Sequence, residues 1–289
     1  MMGTAKLRRA GLIVLLLMPG LGVILLMIGV VFGIAIAQSF GLFALTGEST
    51  FSLAHWDKVI HAKPFGRALR YSAFIATTSA IGSVILAYPI AIWLRKPFTG
   101  SLTISAILKA PLFVPGLVAS FLFLTVIAYH GPLNELMVTF GLIEQPIRMQ
   151  NDRNAIGVIF LQLWKNMPFA LLLLTGAVQG ISDEVLDAAR DLGAGSFDRF
   201  RKVIAPLTVQ AMQAALVIIF IGAAGDFAFQ VTVGPTNVQS MSQYMFALKD
   251  SYGGWHRAAA VGVTLMGLAL MGSLSLAAFS RFVMRGGRW

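Results

Sequence analysis

Glu184, Asp187 and Asp191 fall at i, i+3 and i+7, so on a helix their carboxylates form one acidic stripe. A helix there is well specified. Ser182 is placed to cap its first amides, Asp183 and Glu184 sit in the first turn, where the helix dipole favours anions, and Gly193 offers a terminator that accepts positive φ. Val185, Ala188, Ala189 and Leu192 supply a small, smooth apolar face. After Ala194 and Gly195, Ser196 can open a second short helix that carries Phe197 and Phe200, holds Arg201 and Lys202 in its last turns and ends at Pro206. The chemistry of such a helix-turn-helix finger, over residues 180–208, is recognition rather than bond-making. A carboxylate stripe complements a basic groove, and alanines let two backbones approach closely. About 25 residues with two caps and a defined break are more than a connector needs. The competing reading is an interfacial helix on lipid headgroups, which the basic second half would also suit.

A second set of residues is polar where its surroundings are not. Lys165 lies near the middle of an apolar stretch, where a lysine costs roughly 2.5–3.5 kcal/mol, so it requires a partner or a task. Asp226, at the end of the next stretch, is the nearest opposite charge by topology, with Gln162, Asn166 and Gln230 as polar neighbours. Lys165, Asn166 and Asp226 are therefore the candidates for a solute path; the alternatives are a structural ion pair or a lysine snorkelling to water. Lys109 suits snorkelling. The four histidines, His55, His61, His130 and His256, lack metal-ligand spacing, and no metal site is expected. The chain has no Cys, which removes disulfides, thiolate metal sites and a cysteine nucleophile. It also lacks a G-x-x-x-x-G-K-[ST] loop, so it offers no phosphate cradle of that type for a nucleotide.

The elements that carry these residues belong in lipid. The chain is 289 residues long, 57% hydrophobic and only 12% charged, with mean hydropathy +0.79. Apolar runs near 11–37, 69–94, 102–128, 156–179, 209–228 and 258–280 are each long enough to cross a bilayer. They lack the period-2 alternation of barrel strands, so the spans must be helices. The first run is too long for a signal-peptide core, and a retained span is expected. The net charge of +10 would raise nucleic acid as a partner in a soluble protein, but here the basic residues flank spans. With the N-terminus inside, twelve fall inside, from Lys6 through Arg95, Arg190 and Arg201 to Arg288, and eight outside, Lys58 to Arg257. The bias predicts both termini in the cytoplasm. Pro89, Pro111, Pro115 and Pro168 lie within spans, and each is expected to kink or unwind its helix. No inverted repeat of the secondary-transporter kind is evident.

Asp187-Ala188-Ala189, three residues, Gly193, nine residues, Val203, one residue, then Ala205-Pro206 resembles the EAA motif of ABC importer permeases. Asp187 stands where that family usually has Glu, and Ala205 where it usually has Leu. The resemblance extends over nearly the whole chain and is greatest to spermidine/putrescine-type permeases, through Phe51 to Trp56, Tyr88 to Ala91, Gly131 to Asn134, Met167 to Phe169, Gly225 to Phe227 and Gly234-Pro235. It implies a single all-α transmembrane permease domain over residues 1–289, with about six helices and the type I ABC importer permease fold, in the bacterial inner membrane. In that family the loop is a coupling helix seated in a cytoplasmic ATPase. The residues carried over to that role are Glu184, Asp187, Ala188, Ala189, Gly193 and Pro206.

The implied partners are two ATPase subunits holding ATP and Mg, a second permease subunit, a periplasmic substrate-binding protein and membrane lipid; no nucleic acid is expected. The chain itself is expected to bind no cofactor and to catalyse nothing. The resemblance points to a polyamine, whereas a fixed cation at Lys165 would favour an anion such as phosphonate or sulfate. A secondary transporter or channel working without ATP is the alternative. Asp187 to Arg190 with Gly195 and Asp198 also faintly resembles the signature of CDP-alcohol phosphotransferases, but Ala188 stands where that signature needs Gly, and too few aspartates follow.

Overall fold

The computed structural model describes residues 2–43, 49–251 and 254–285; Arg288, one of the basic residues counted inside, and Trp289 lie outside the described residues. Every regular element among the described residues is helical. Five stretches are long and apolar enough to cross a bilayer: Val14–Ser39, Lys63–Trp93, Gly116–Thr139, Ile156–Gln179 and Trp255–Phe282. A sixth is added when Ser196–Leu207 and Val209–Ala224, bent by 71°, are taken as one span.

Packing divides the chain into two compact units, residues 1–62 with 245–264 and residues 63–244 with 265–289. The first contains α1 (Met2–Ser39), α2 (Ala54–Ile60), the end of α13 (Met241–Lys249) and the start of α14 (Trp255–Arg285). None of the apolar window of α1 is buried, which suits a helix bathed in hydrocarbon. Beyond α1 the chain is pinned by aromatic contacts. Phe40 stacks on Phe51 with centroids 5.9 Å apart, and Trp56 Nε1 donates to Ser39 Oγ at 3.3 Å. His256 Nδ1 donates to the Gln38 carbonyl at 2.8 Å, and its ring lies 4.6 Å from that of His55.

The second unit is organised around α3 (Lys63–Trp93), α7 (Ile156–Gln179) and α11 (Val209–Ala224). Their contact is made by small residues. Ala76, Ala80, Ser83, Ala87 and Ala91 recur at three- and four-residue steps on α3, and none is measurably exposed. In lipid the hydrophobic effect gives helices little reason to associate, so such a stripe is what allows close dispersion contact. At Gly82 an added Cβ would lie 2.6 Å from Leu163 Cδ2, so the leucine of α7 packs directly on the glycine and would have to shift for any larger residue.

The expected third span, 102–128, is not one helix. It consists of α4 (Ser101–Lys109), a 3₁₀ turn (Ala110–Phe113) and α5 (Gly116–Ile127), followed by α6 (Pro132–Thr139). The break follows from proline chemistry: Val114, preceding Pro115, is extended at φ −84°, ψ 120°, as a residue before proline tends to be. Pro89 and Pro168, by contrast, sit inside continuous helices. A single missing donor is tolerated there; two prolines four residues apart are not.

The finger is formed by α8 (Asp183–Asp191) and α9 (Ser196–Arg199), then a π turn (Phe200–Ile204) and α10 (Ala205–Leu207). The second helix therefore does not end at Pro206. The π turn widens the helix just ahead of the proline, and helical structure continues to Leu207 before the bend into α11. Past α11 come the short α12 (Ala228–Thr232) and α13.

Candidate functional site

The tip of the finger is set by backbone geometry. Gly193 has φ +82°, in the left-handed region, and an added Cβ there would meet nothing within 4 Å. The backbone angle alone demands glycine. Ala194 N–H donates to the Ala189 carbonyl at 3.0 Å and Gly193 N–H to the Arg190 carbonyl at 2.9 Å. These two bonds form a complete Schellman motif, which satisfies carbonyls that the end of α8 would otherwise leave open. Glu184, Asp187, Ala188 and Gly193 are all exposed, and Ala189 is half-buried. Leu192 and Phe197, at 89% and 73% exposure, flank the turn.

The base is held chiefly by the segment just past α3. Ser182 is extended but makes no capping hydrogen bond with its side chain. Arg95 holds the start of α8 instead. Its Nη1 donates to Asp183 Oδ1 and its Nη2 to the Ile181 carbonyl, both at 2.6 Å, with the Arg95 side chain only 11% exposed. The guanidinium holds the Asp183 carboxyl below the usual carboxylate range. Gln179 Nε2 adds a bond to the Leu94 carbonyl at 3.2 Å.

The other leg is gripped by Tyr88 of α3, seven residues before Arg95 and about two turns deeper. Thr208 Oγ1 donates to the Ile204 carbonyl at 2.8 Å, so at 2.6 Å the Tyr88 hydroxyl is its donor. The Tyr88 ring also meets Phe200 edge-on at 5.3 Å. Ile181, Ile204 and Ala205 are buried between these anchors, and Pro206 is half-buried beside them.

Lys165 and Asp226 occupy separate polar arrangements. Lys165 Nζ donates to the carbonyls of Pro111 at 2.7 Å, Leu112 at 3.2 Å and Val114. Three ammonium donors thus meet three carbonyls of the proline break, which hydrocarbon could not satisfy. Among the described residues no ion pair joins Lys165 to Asp226. Asp226 Oδ1 accepts from Phe229 N–H at 3.4 Å, while Oδ2 is buried without a partner. Gln162 lies beside this carboxyl and, through Oε1, accepts from Asn166 Nδ2 at 2.7 Å. Gln230, on α12, accepts from the Tyr71 hydroxyl at 2.8 Å. The structure therefore gathers Asn166 and Asp226 around Gln162, and assigns Lys165 to the break.

Arg95 and Tyr88 carry the most structure that residue-by-residue reading passed over. Arg95 counted only as a basic flank, and Tyr88 only as part of a short resemblance. The available signal was position: both lie near the end of an apolar run whose next neighbour in space is a loop rich in carboxylates. The His55–His256 stack was also missed. Burial first, then His256, Lys58 and Arg257, hold the His55 imidazole below its ordinary value.

A bundle of lipid-facing helices with small-residue contacts, a proline-broken span and an exposed finger clamped at its base defines a multi-pass membrane transport component. The chain belongs to the family of binding-protein-dependent transport system inner membrane components, which matches residues 83–285 and so includes the finger. It is 26% identical over 230 residues to the spermidine/putrescine transport system permease protein PotB of Escherichia coli, covering 78% of this chain and 82% of that one. To PotB of Haemophilus influenzae it is 36% identical over 110 residues, 37% of each chain. The molybdenum transport system permease protein ModB of Azotobacter vinelandii is 27% identical over 58% of this chain and 72% of its own. A solved bacterial ABC transporter involved in import of the acidic polysaccharide alginate has the same fold, with a TM-score of 0.75 at 16% identity over 96% of this chain and 97% of that one. The protein is thus an inner-membrane ABC importer permease subunit with the type I permease fold.

Proposed function

We propose that this subunit moves a polyamine from periplasm to cytoplasm, with ATP hydrolysed on a separate chain and transmitted through the finger. The observation that carries the coupling role is the pairing of an exposed, self-terminated helix at the tip with a buried clamp at the base. Glu184, Asp187, Ala188 and Ala189 would meet a basic ATPase groove. Gly193 would fix the turn, and Pro206, next to the buried base, would keep the second leg in register. The remaining partners would be a companion permease, a second ATPase subunit and a periplasmic binding protein; an alginate transporter of the same fold was solved in complex with such a protein. ATP and Mg would reside on the ATPase subunits, and the permease would catalyse nothing itself. Both termini would face the cytoplasm, the side of the finger.

The polar interior favours a cationic solute. Lys165 spends its donors on the carbonyls of the break, which weakens the case for an anion site, while Asp226 keeps one carboxylate oxygen open beside Gln162 and Asn166. The PotB relatives support the same choice. Reconstitution of the subunit with its companion permease, ATPase and binding protein tests the reading. Uptake of labelled spermidine or putrescine should require ATP and fall strongly in Asp226→Asn. Uptake without ATP would make the chain a secondary transporter, and unchanged polyamine uptake in Asp226→Asn would remove that residue from the path.

A further inference from the structure

The break in the third span closes around an ammonium group. Lys165 Nζ donates to the carbonyls of Pro111 at 2.7 Å, Leu112 at 3.2 Å and Val114, so each of its three N–H bonds has an acceptor. Among the described residues Lys165 forms no ion pair, and its charge is met by backbone dipoles. The three carbonyls lie at, or just past, the end of the 3₁₀ turn that continues α4, where the helix dipole is negative and favours a cation. The Pro111 carbonyl also accepts from Val114 N–H at 3.3 Å, which helps to fix its direction.

A lysine side chain is an ammonium on a four-carbon stem. The same group, a primary ammonium on a short methylene chain, ends putrescine and spermidine. Three carbonyls match its three N–H bonds, whereas a secondary ammonium has two and a quaternary one has none. The site is also within reach of a solute. Lys165, Pro111, Leu112 and Val114 are half-buried, and Phe113, in the middle of the turn, is 84% exposed. Asn166, the next residue on α7, belongs to the polar arrangement around Gln162 and Asp226, so the carbonyls border the path described above.

We propose that the carbonyls of Pro111, Leu112 and Val114 form a primary-ammonium site, which Lys165 fills from within and which takes the terminal ammonium of a polyamine when Lys165 vacates it. The polyamine as ligand rests on the transport reading; the site, as a receptor for a primary alkylammonium, does not. Exchange of one ammonium for another keeps the carbonyls paired, so the broken span exposes no bare backbone while a solute passes.

Removing the tethered ammonium tests the site. The assembled transporter carrying Lys165→Ala, which leaves room for a butyl chain, is melted in mild detergent with butylammonium, putrescine or tetramethylammonium. The variant should melt below the parent. Butylammonium and putrescine should recover most of that loss and tetramethylammonium none, while the parent, already filled, should barely respond. Lys165→Met retains a stem without the ammonium and should melt low in all three. If Lys165→Ala is recovered poorly, butylammonium in the purification buffer should restore its yield where tetramethylammonium does not. Absence of recovery by either amine overturns the site, as does an equal response to tetramethylammonium or in Lys165→Met. The two readings fail separately. Rescue by butylammonium without ATP-driven polyamine uptake retains the site and removes the polyamine as its ligand, and normal polyamine uptake without rescue does the reverse.

Discussion

Leu192 and Phe197 at the tip of the finger are 89% and 73% exposed, whereas Ile181, Ile204 and Ala205 at its base are at most 8% exposed. The tip keeps its shape through its own backbone, by two Schellman bonds and one positive φ. The base keeps its shape through another element, because Tyr88 of α3 and Arg95, two residues past its end, each grip one leg. A self-sufficient tip can meet a partner without first being ordered by it, which lowers the entropy cost of docking. A base locked to a packed span can transmit displacement. Coupling needs both properties, and the sequence places them about ten residues apart along each leg.

The comparison breaks most visibly at the tip. Valine at φ +82° adds strain of order 1–3 kcal/mol and disorders the turn, and Asp187→Lys sets like charges against a basic groove. Gly193→Val and Asp187→Lys should each reduce ATP-driven uptake by roughly tenfold or more and weaken ATPase co-purification, with membrane insertion unchanged. Normal uptake and an ATPase that stays bound in both would make the finger a passive connector.

A smaller, different defect is expected at the base. Arg95→Gln leaves the tip intact, so the ATPase should still co-purify, while transport per ATP hydrolysed falls severalfold. Asp183 is 58% exposed, so solvent screens much of its pairing with Arg95. Because Arg95 lowers the folded-state value of Asp183, this contribution is complete above the ordinary carboxylate range and is lost only as pH falls through the lowered value. The coupling ratio of the parent should therefore hold through mild acidification, and loss of the ATPase in Arg95→Gln would mean that tip and base are not separable. Tyr88→Phe should have the least effect. It removes one buried bond to Thr208, worth about 0.5–1.5 kcal/mol, and should lower the melting temperature while uptake remains close to normal.

The tip was legible because capping and φ rules are local: a stretch of twelve residues from Ser182 to Gly193 contains its own stop signal. The base was not, since Arg95 and Asp183 are 88 positions apart and only the packing of α3 on α7 brings them together. Lys165 lay between these cases. Its cost in the membrane could be read, but a carboxylate was sought as its partner. Pro111 and Pro115 were visible too, and two prolines four residues apart leave carbonyls that lipid cannot satisfy. A donor-rich residue without a partner and acceptors without a donor were thus both on the page, on different spans. At Pro206 the local rule was off by one residue: helical structure ends at Leu207, where the chain bends by 71° into α11.

The match between Lys165 and the break also fixes an order of events. Lys165 lies 54 residues behind Pro111, so α4 and α5 leave the ribosome before the ammonium that bonds the carbonyls of their break, among which that of Pro111 already accepts from Val114 N–H at 3.3 Å. The nine residues of α4 are fewer than the roughly 20 needed to cross a bilayer, whereas the stretch that begins with α5, Gly116–Thr139, is long enough. The break between them gains its ammonium donor only once α7 follows. The fourth span is in this sense the closing piece of the third, and the permease assembles its broken helix backwards.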